Sequence, residues 1–164
     1  MIDSAFINRP DDASEAKITG IFISSGKGMD QLLLSEAVLV ADYGISGDAH
    51  AGHPTRQVTL LSDKCRKLID SSENKGLCVK RFNANIMFDG LSLPGCAAGT
   101  QFSIGRCRLE ITGIGKRCFP ECVLVQNSQH CCLKNEVIFA RVITGGLIRT
   151  GDEIFPDDMV SRLP

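Results

Sequence analysis

No stretch of this chain approaches the ~20 consecutive apolar residues that a helical membrane span requires. An excess of charge of one sign is missing as well. The 18 Lys and Arg stand against 19 Asp and Glu, for a formal net charge of −1. That balance excludes a global attraction to nucleic acid or to an anionic membrane, so neither is expected as a partner. The first residues, MIDSAFINRPDDASEAK, lack the basic start and apolar stretch of a secretory signal. We therefore expect a cytoplasmic protein. Internal repeats, low-complexity tracts and linker-like stretches are absent, and 164 residues suit one domain with its own core. Neither a Ser-His-Asp order nor a paired-carboxylate pattern stands out.

Cysteine, by contrast, is plentiful. Eight cysteines in a reducing compartment need a reason other than disulfides. Cys65, Cys78, Cys96 and Cys107 are scattered among apolar neighbours, where a free cysteine packs as a small hydrophobe. Cys118, Cys122, Cys131 and Cys132 crowd into fifteen residues and ask for an explanation.

Short apolar segments alternate with glycine-rich turns. KITGIFISS, EAVLVAD, RQVTLLS, NANIMFDG and EVIFARVITGG read as strands. GTQFSIGRCRLEITGIG reads as a hairpin turning at Gly105–Arg106, with Leu109 and Ile111 on one face and Glu110 and Thr112 on the other. GLIRTGDEIF turns back at Gly151–Asp152. The best helix is DKCRKLIDSSENKG: Ser62 can cap it, Cys65, Leu68 and Ile69 share a face, and Gly76 can end it. Many short strands and one clear helix predict a mostly-β fold, a sandwich or a closed or partly closed barrel. Strands do not alternate with helices, so a Rossmann layout is not expected. Residues 1–16 and 157–164 are polar and read as flexible tails around a domain over 17–156.

Three clusters can carry chemistry. In GDAHAGHPTRQ, Asp48, His50, His53 and Arg56 lie within nine residues. Asp and two His can bind a metal, and glycines can present amides to an anion. The same composition also makes an ordinary turn. In GIGKRCFPEC, Lys116 and Arg117 precede Cys118, and cations beside a thiol favour the thiolate: a nucleophile, a sulfur carrier or a soft ligand. This is not a phosphate-binding P-loop, because Glu110 and Arg117 occupy positions where that motif needs Gly and Ser or Thr. A buried cysteine in a turn is the plainer alternative. Finally, QHCC adds His130, Cys131 and Cys132, enough soft ligands for zinc, although the spacing is unlike two compact knuckles. Arg56, Lys116, Arg117, Arg141 and Arg149 would suit a phosphorylated ligand if they converged, and a solvated surface if they did not.

GISGDAHAGHPTRQVTLLS, NANIMFDGLSLPGCAAGTQFSIG, LEITGIGKRCFPEC and EVIFARVITGGLIRTGDEI occur in that order. Together they resemble a MOSC domain, the module named for the C-terminal domain of molybdenum-cofactor sulfurase, in its short stand-alone bacterial form. The likeness covers about residues 17–155. It implies a β-barrel with a few short helices that binds molybdenum cofactor (a pterin dithiolene with a phosphate) or carries sulfur as a cysteine persulfide for molybdoenzyme maturation. The GDAHAG and RQ positions fall on Gly47–Gly52, Arg56 and Gln57; those of GK-x-C-x3-C fall on Gly115, Lys116, Cys118 and Cys122. The later single cysteine of relatives matches Cys131, with Cys132 extra. Ala84 and Phe119 stand where relatives often carry Glu and His.

The resemblance thus implies Cys118 or Cys122 as the reactive thiolate, with Cys118 first as molybdenum ligand. Asp48, His50, Arg56, Gln57, Asn85, Lys116 and Arg117 are the implied cofactor contacts. If the protein is an enzyme, it is a sulfurtransferase without its own pyridoxal-phosphate domain. Pyridoxal phosphate would then sit on a separate partner such as a cysteine desulfurase, and the acceptor would be a molybdoenzyme. Two other readings use the same residues: a cofactor-binding or delivery module without turnover, and a zinc-binding or redox-sensing structural protein built on the Cys118–Cys132 cluster.

Overall fold

Alternation of buried and exposed side chains decides where the strands run. In the computed structural model, residues 16–26, 29–71, 82–90, 97–115, 120–128 and 131–156 are described. The strands in the first half of the chain are β1 (Ala16–Ser24), β2 (Gln31–Leu34), β3 (Glu36–Val40), β4 (Gly44–Ile45) and β5 (Val58–Ser62). Helix α1 (Asp63–Ser71) follows, then β6 (Ile86–Asp89), β7 (Gln101–Ile104) and β8 (Cys107–Ile114). Two short helices, α2 (Val123–Gln126) and α3 (Cys132–Glu136), precede β9 (Ile138–Thr144), β10 (Gly146–Arg149) and β11 (Glu153–Pro156).

Seven strands close into a barrel in the order β11-β7-β8-β9-β5-β6-β1, with β1 returning to β11 through Ala16↔Ile154 and Lys17↔Glu153. Closure leaves no free edge around the ring. The pairs are antiparallel except β5–β6, whose parallel register Leu60↔Ile86 needs a crossover, and α1 lies on that crossover. β2 extends β1 beyond the ring through Ile21↔Leu34 to Ser24↔Gln31. A second sheet, β10-β3-β4, folds against the barrel and sends Ala37, Leu39, Ile45 and Ile148 into its interior. The link from β9 into β10 runs close along β3: a Cβ on Gly145 would collide with the Leu39 carbonyl oxygen.

The interior cluster includes Ile18, Ile21, Leu60, Ile86, Phe102 and Leu109. A second cluster lies on the outer face of the wall, where Leu61, Met87, Val137 and Phe139 meet Cys65 of α1 and Leu133 of α3. β5 is therefore buried on both faces, with Leu60 inside and Leu61 outside.

The mostly-β barrel expected from the sequence is what the chain forms. The hairpin turns at Gly105–Arg106, where Ile104 faces Cys107 and Gly105 takes φ 56°. Leu109 and Ile111 are buried, as that register requires. Ser62 caps α1, its Oγ accepting the Cys65 N–H at 3.1 Å. Leu68 differs from expectation and is exposed. It sits about 60° round the helix from Cys65, and so short a helix rests on its support along a narrow line. Gly76 lies outside the described residues. The chain does turn at Gly151–Asp152, but β10 and β11 do not pair with each other: β10 joins β3, while β11 joins β7 and β1. β2 is an additional strand that the sequence pattern did not mark.

Candidate functional site

The Gly47–Gln57 loop joins β4 to β5, and its polar residues mainly hold the loop itself. The Asp48 side chain is fully buried. Its Oδ1 accepts the Ser24 N–H at 2.9 Å and its Oδ2 accepts the His50 N–H at 3.1 Å. The Ala49 N–H donates back to the Ser24 carbonyl at 2.8 Å, so the loop is stitched to the end of β1. His50 has its Nδ1 3.4 Å from Asp48 Oδ2 and its side chain is 48% exposed. His53 Nδ1 accepts the backbone N–H groups of Thr55 and Arg56 at 3.1 and 3.0 Å. That pattern makes Nδ1 the acceptor nitrogen of the ring. Gly47 and Gly52 both take φ 89°, a conformation that disfavours any side chain. The turn reading of this stretch therefore replaces the metal reading. Among the described residues, no group of three or more His, Cys, Asp and Glu side chains gathers to hold a metal.

Gln57 and Asn85 are buried connectors. Gln57 Nε2 donates to Asp42 Oδ1 at 3.3 Å, and its Oε1 accepts the Val142 N–H at 3.0 Å. Asn85 Oδ1 accepts the Thr59 N–H at 3.0 Å, and its Nδ2 donates to the Phe22 carbonyl at 3.2 Å. Both amides complete the polar groups of neighbouring backbone and so fix the wall against which the loops sit.

Arg56 is different. It is exposed, has no carboxylate partner among the described residues, and holds its Cζ 4.5 Å over the Phe139 ring. The ring face attracts the cation and leaves much of the guanidinium fork for a ligand. The Thr112 hydroxyl donates to the Thr55 carbonyl, 57 residues away in sequence, and fastens the loop beside Arg56 onto β8. The end of β8 arrives at the same place. Gly113 pairs with Phe139, and the Gly115 N–H donates to the Val137 carbonyl at 2.7 Å, with Gly115 at φ 87°. Arg56 and Gly115 therefore meet Phe139 and Val137, two residues apart at the start of β9, and β8 ends at that corner.

Lys116, Arg117, Cys118 and Phe119 lie outside the described residues, as do Cys78, Cys96 and His130. Cys122 is buried, 6% exposed; Cys131 is half-buried against the outer cluster. Cys65 and Cys107 are buried in the core, as expected. Burial pushes the Cys107 thiol up, and the Asp152 carboxylate adds to the effect. Of the other basic candidates, Arg141 pairs with Glu110 at 2.9 Å and Arg149 with Glu36 at 3.0 Å. A separate groove of about 520 Å³ lies beside α1, lined in part by Phe22, Arg66, Phe82 and Met87. It shares no residue with the Arg56 corner. Sequence reasoning missed Phe139 and Thr112, because nothing local marks a ring that will support a cation from a distant loop.

No helix among the described residues is long and apolar enough to cross a membrane. No curated protein matches the chain. The fold is similar to that of the YuaD protein from Bacillus subtilis, with TM-score 0.61 and 21% identity over 85% of this chain and 93% of that one. It is also similar to YiiM from Escherichia coli (TM-score 0.55, 16% identity, 85% of this chain and 69% of that one). YiiM from Geobacillus stearothermophilus gives TM-score 0.57 at 12% identity, over 86% of this chain and 74% of that one. Residues 47–155 match the family model of the MOSC domain.

Proposed function

The chain belongs to the MOSC domain family, and from that premise we propose that it binds molybdenum cofactor at the Arg56 corner and carries sulfur on Cys118. The observation that supports this reading is the meeting of Arg56, held over Phe139, with the Gly115 end of β8. A guanidinium free of protein carboxylates is a strong partner for a phosphate. The cofactor, when bound, supplies a dithiolene that holds molybdenum and a phosphate that needs a cation. The donor set fits on the second count. Arg56 would hold the phosphate, together with Lys116 and Arg117 from the adjoining segment. Asp48, Gln57 and Asn85 would serve by keeping the surrounding walls in place, since their side chains are engaged with backbone and, for Gln57, also with Asp42, while the half-exposed His50 ring beside Asp48 would face the ligand.

Lys116 and Arg117 would keep Cys118 as the thiolate. That thiolate attacks the outer sulfur of a persulfide on a donor protein. The S–S bond of the donor breaks, the donor leaves as a thiolate, and Cys118 becomes the persulfide. Incubation with a cysteine desulfurase and cysteine, followed by peptide mass spectrometry, tests this. One added sulfur on the Cys118 peptide is expected, retained in Cys122→Ser and lost in Cys118→Ser. An unmodified Cys118 under conditions that load the desulfurase refutes sulfur carriage.

The burial of Cys122 favours a second reading, in which the protein holds the cofactor and passes it on without turnover. That reading needs Arg56 but no reactive thiol. Cofactor binding that survives Cys118→Ser and weakens at least tenfold in Arg56→Ala would select it; binding unaffected by Arg56→Ala would exclude the corner as the site.

A further inference from the structure

We infer that the groove beside α1 is a second binding site, separate from the Arg56 corner, and that it takes a small planar aromatic carboxylate. The groove holds about 520 Å³, the size of a small-molecule pocket. It lies on the outer face of the barrel over β1 and β6, with α1 as one wall. Phe22, Phe82, Ala84 and Met87 line it, and all four belong to the outer cluster or pack against it. The apolar floor is therefore an edge of packed core. Gly20 shapes that floor, at a bulge in β1 between Ile18 and Gly20. A Cβ on Gly20 would stand 2.8 Å from Cε2 of Phe22, so the ring leans back along the strand into the space a side chain would fill. Laid down in this way, the half-buried ring gives a flat ligand an aromatic surface to stack on.

Hydrogen bonds fix the walls before any ligand arrives. The Thr19 hydroxyl donates to Asp63 Oδ1 at 2.9 Å and ties β1 to the first turn of α1. Gln31 Nε2 donates to the Ala84 carbonyl at 2.9 Å and ties β2 to the segment leading into β6. Arg66 Nη1 donates to the Phe82 carbonyl at 3.0 Å and holds that segment to the helix. The groove is thus preformed, and an occupant binds without first ordering its walls.

Charge selects an anion. Among the described residues, the charged side chains of the lining are Asp63, Arg66 and Lys67. Arg66 is paired with Asp70 at 2.7 Å. Asp63 accepts the Thr19 hydroxyl and stands in the first turn of α1, where the helix dipole offsets a negative charge. Lys67 is exposed and has no carboxylate partner among the described residues. Its ammonium, on a flexible stem, is the charge left for a ligand, and one ammonium matches one carboxylate rather than a doubly charged phosphate. An aromatic floor beside a single unpaired cation fits a flat apolar body with one negative charge.

Titration of 2-naphthoate with the purified full chain tests the inference, and because the chain contains no tryptophan the fluorescence of the probe can be followed directly. Saturable binding is expected, with a Kd of about 1 mM or tighter for a ligand of this size. The neutral 2-naphthamide should bind at least fivefold more weakly. Lys67→Ala should erase that preference; Lys67 is exposed, so its loss leaves the fold intact. Phe22→Ala, checked for unchanged circular dichroism, should weaken naphthoate at least tenfold, and Arg56→Ala should leave it unchanged. Equal affinity for the two probes in the wild type overturns the inference, as does a preference that survives Lys67→Ala. Binding lost in Arg56→Ala but kept in Lys67→Ala overturns it too, by placing the anion at the Arg56 corner.

Discussion

Replacing Asp48 by alanine removes both acceptors that fasten the Gly47–Gln57 loop to β1. The two lost bonds are unequal. Ser24 is buried, so its N–H is left without a partner, a loss of about 1–3 kcal/mol for such a group. The His50 N–H lies at the surface of the loop, where water can take over, so its loss is roughly 1 kcal/mol. The sum is about 2–4 kcal/mol. With a urea m-value of about 2 kcal/mol/M, the unfolding midpoint falls by roughly 1–2 M at unchanged slope. Asp48→Asn keeps one carbonyl oxygen and should lose about half as much. Urea unfolding followed by far-UV circular dichroism reads both variants. A fall below 0.2 M for the alanine variant would refute the structural role and return the carboxylate to ligand binding, where substitution changes affinity rather than stability. Equal losses in the two variants would mean that the remaining amide oxygen reaches neither donor.

Gly145→Ala drives a methyl group into the Leu39 carbonyl oxygen, which must move; a loss of about 1–3 kcal/mol is expected in thermal unfolding, and an unchanged Tm would show that the turn into β10 is not held so closely against β3. Cys107 predicts an alkaline effect. Its folded thiol keeps its proton to higher pH than the unfolded one, so the native state binds more protons and stability falls as pH rises above the ordinary thiol range, about 8.5–9. Cys107→Ala should descend less steeply with pH over that range, and identical slopes would contradict the assignment. A double-mutant cycle of Arg56→Ala and Phe139→Leu should give a coupling of about 0.5–1 kcal/mol in favour of the native pair. Zero coupling would mean that the guanidinium does not rest on the ring.

Legibility followed locality. β8 alternates so regularly that Cys107, Leu109 and Ile111 could be assigned to one face from residue types alone, and Ser62 announced α1 through a bond only three residues long. β2 has no alternation to read: three consecutive leucines follow a glutamine, and the middle one is exposed. The candidate site was half legible. Arg56 and the glycine-lysine-cysteine segment were marked by composition, but the nearness of Arg56 to the Gly115 end of β8 is decided by Gly113↔Phe139 and by the Thr112–Thr55 bond, both long-range. Asn85 and Gln57 show a further limit. A buried amide that serves distant backbone groups is spelled like one that serves a ligand, and only the partners distinguish them.

The seam between β1 and β11 has a consequence for synthesis on the ribosome. Ala16 emerges long before its partner Ile154. Until then the growing polypeptide carries two unsatisfied rims, one at each end of an open ribbon, and helix α1 can form long before the ring beneath it is complete. Such distant pairings delay closure and lengthen the time in which another nascent chain can dock on either rim. The most vulnerable moment is therefore the interval before β11 is released to meet β1.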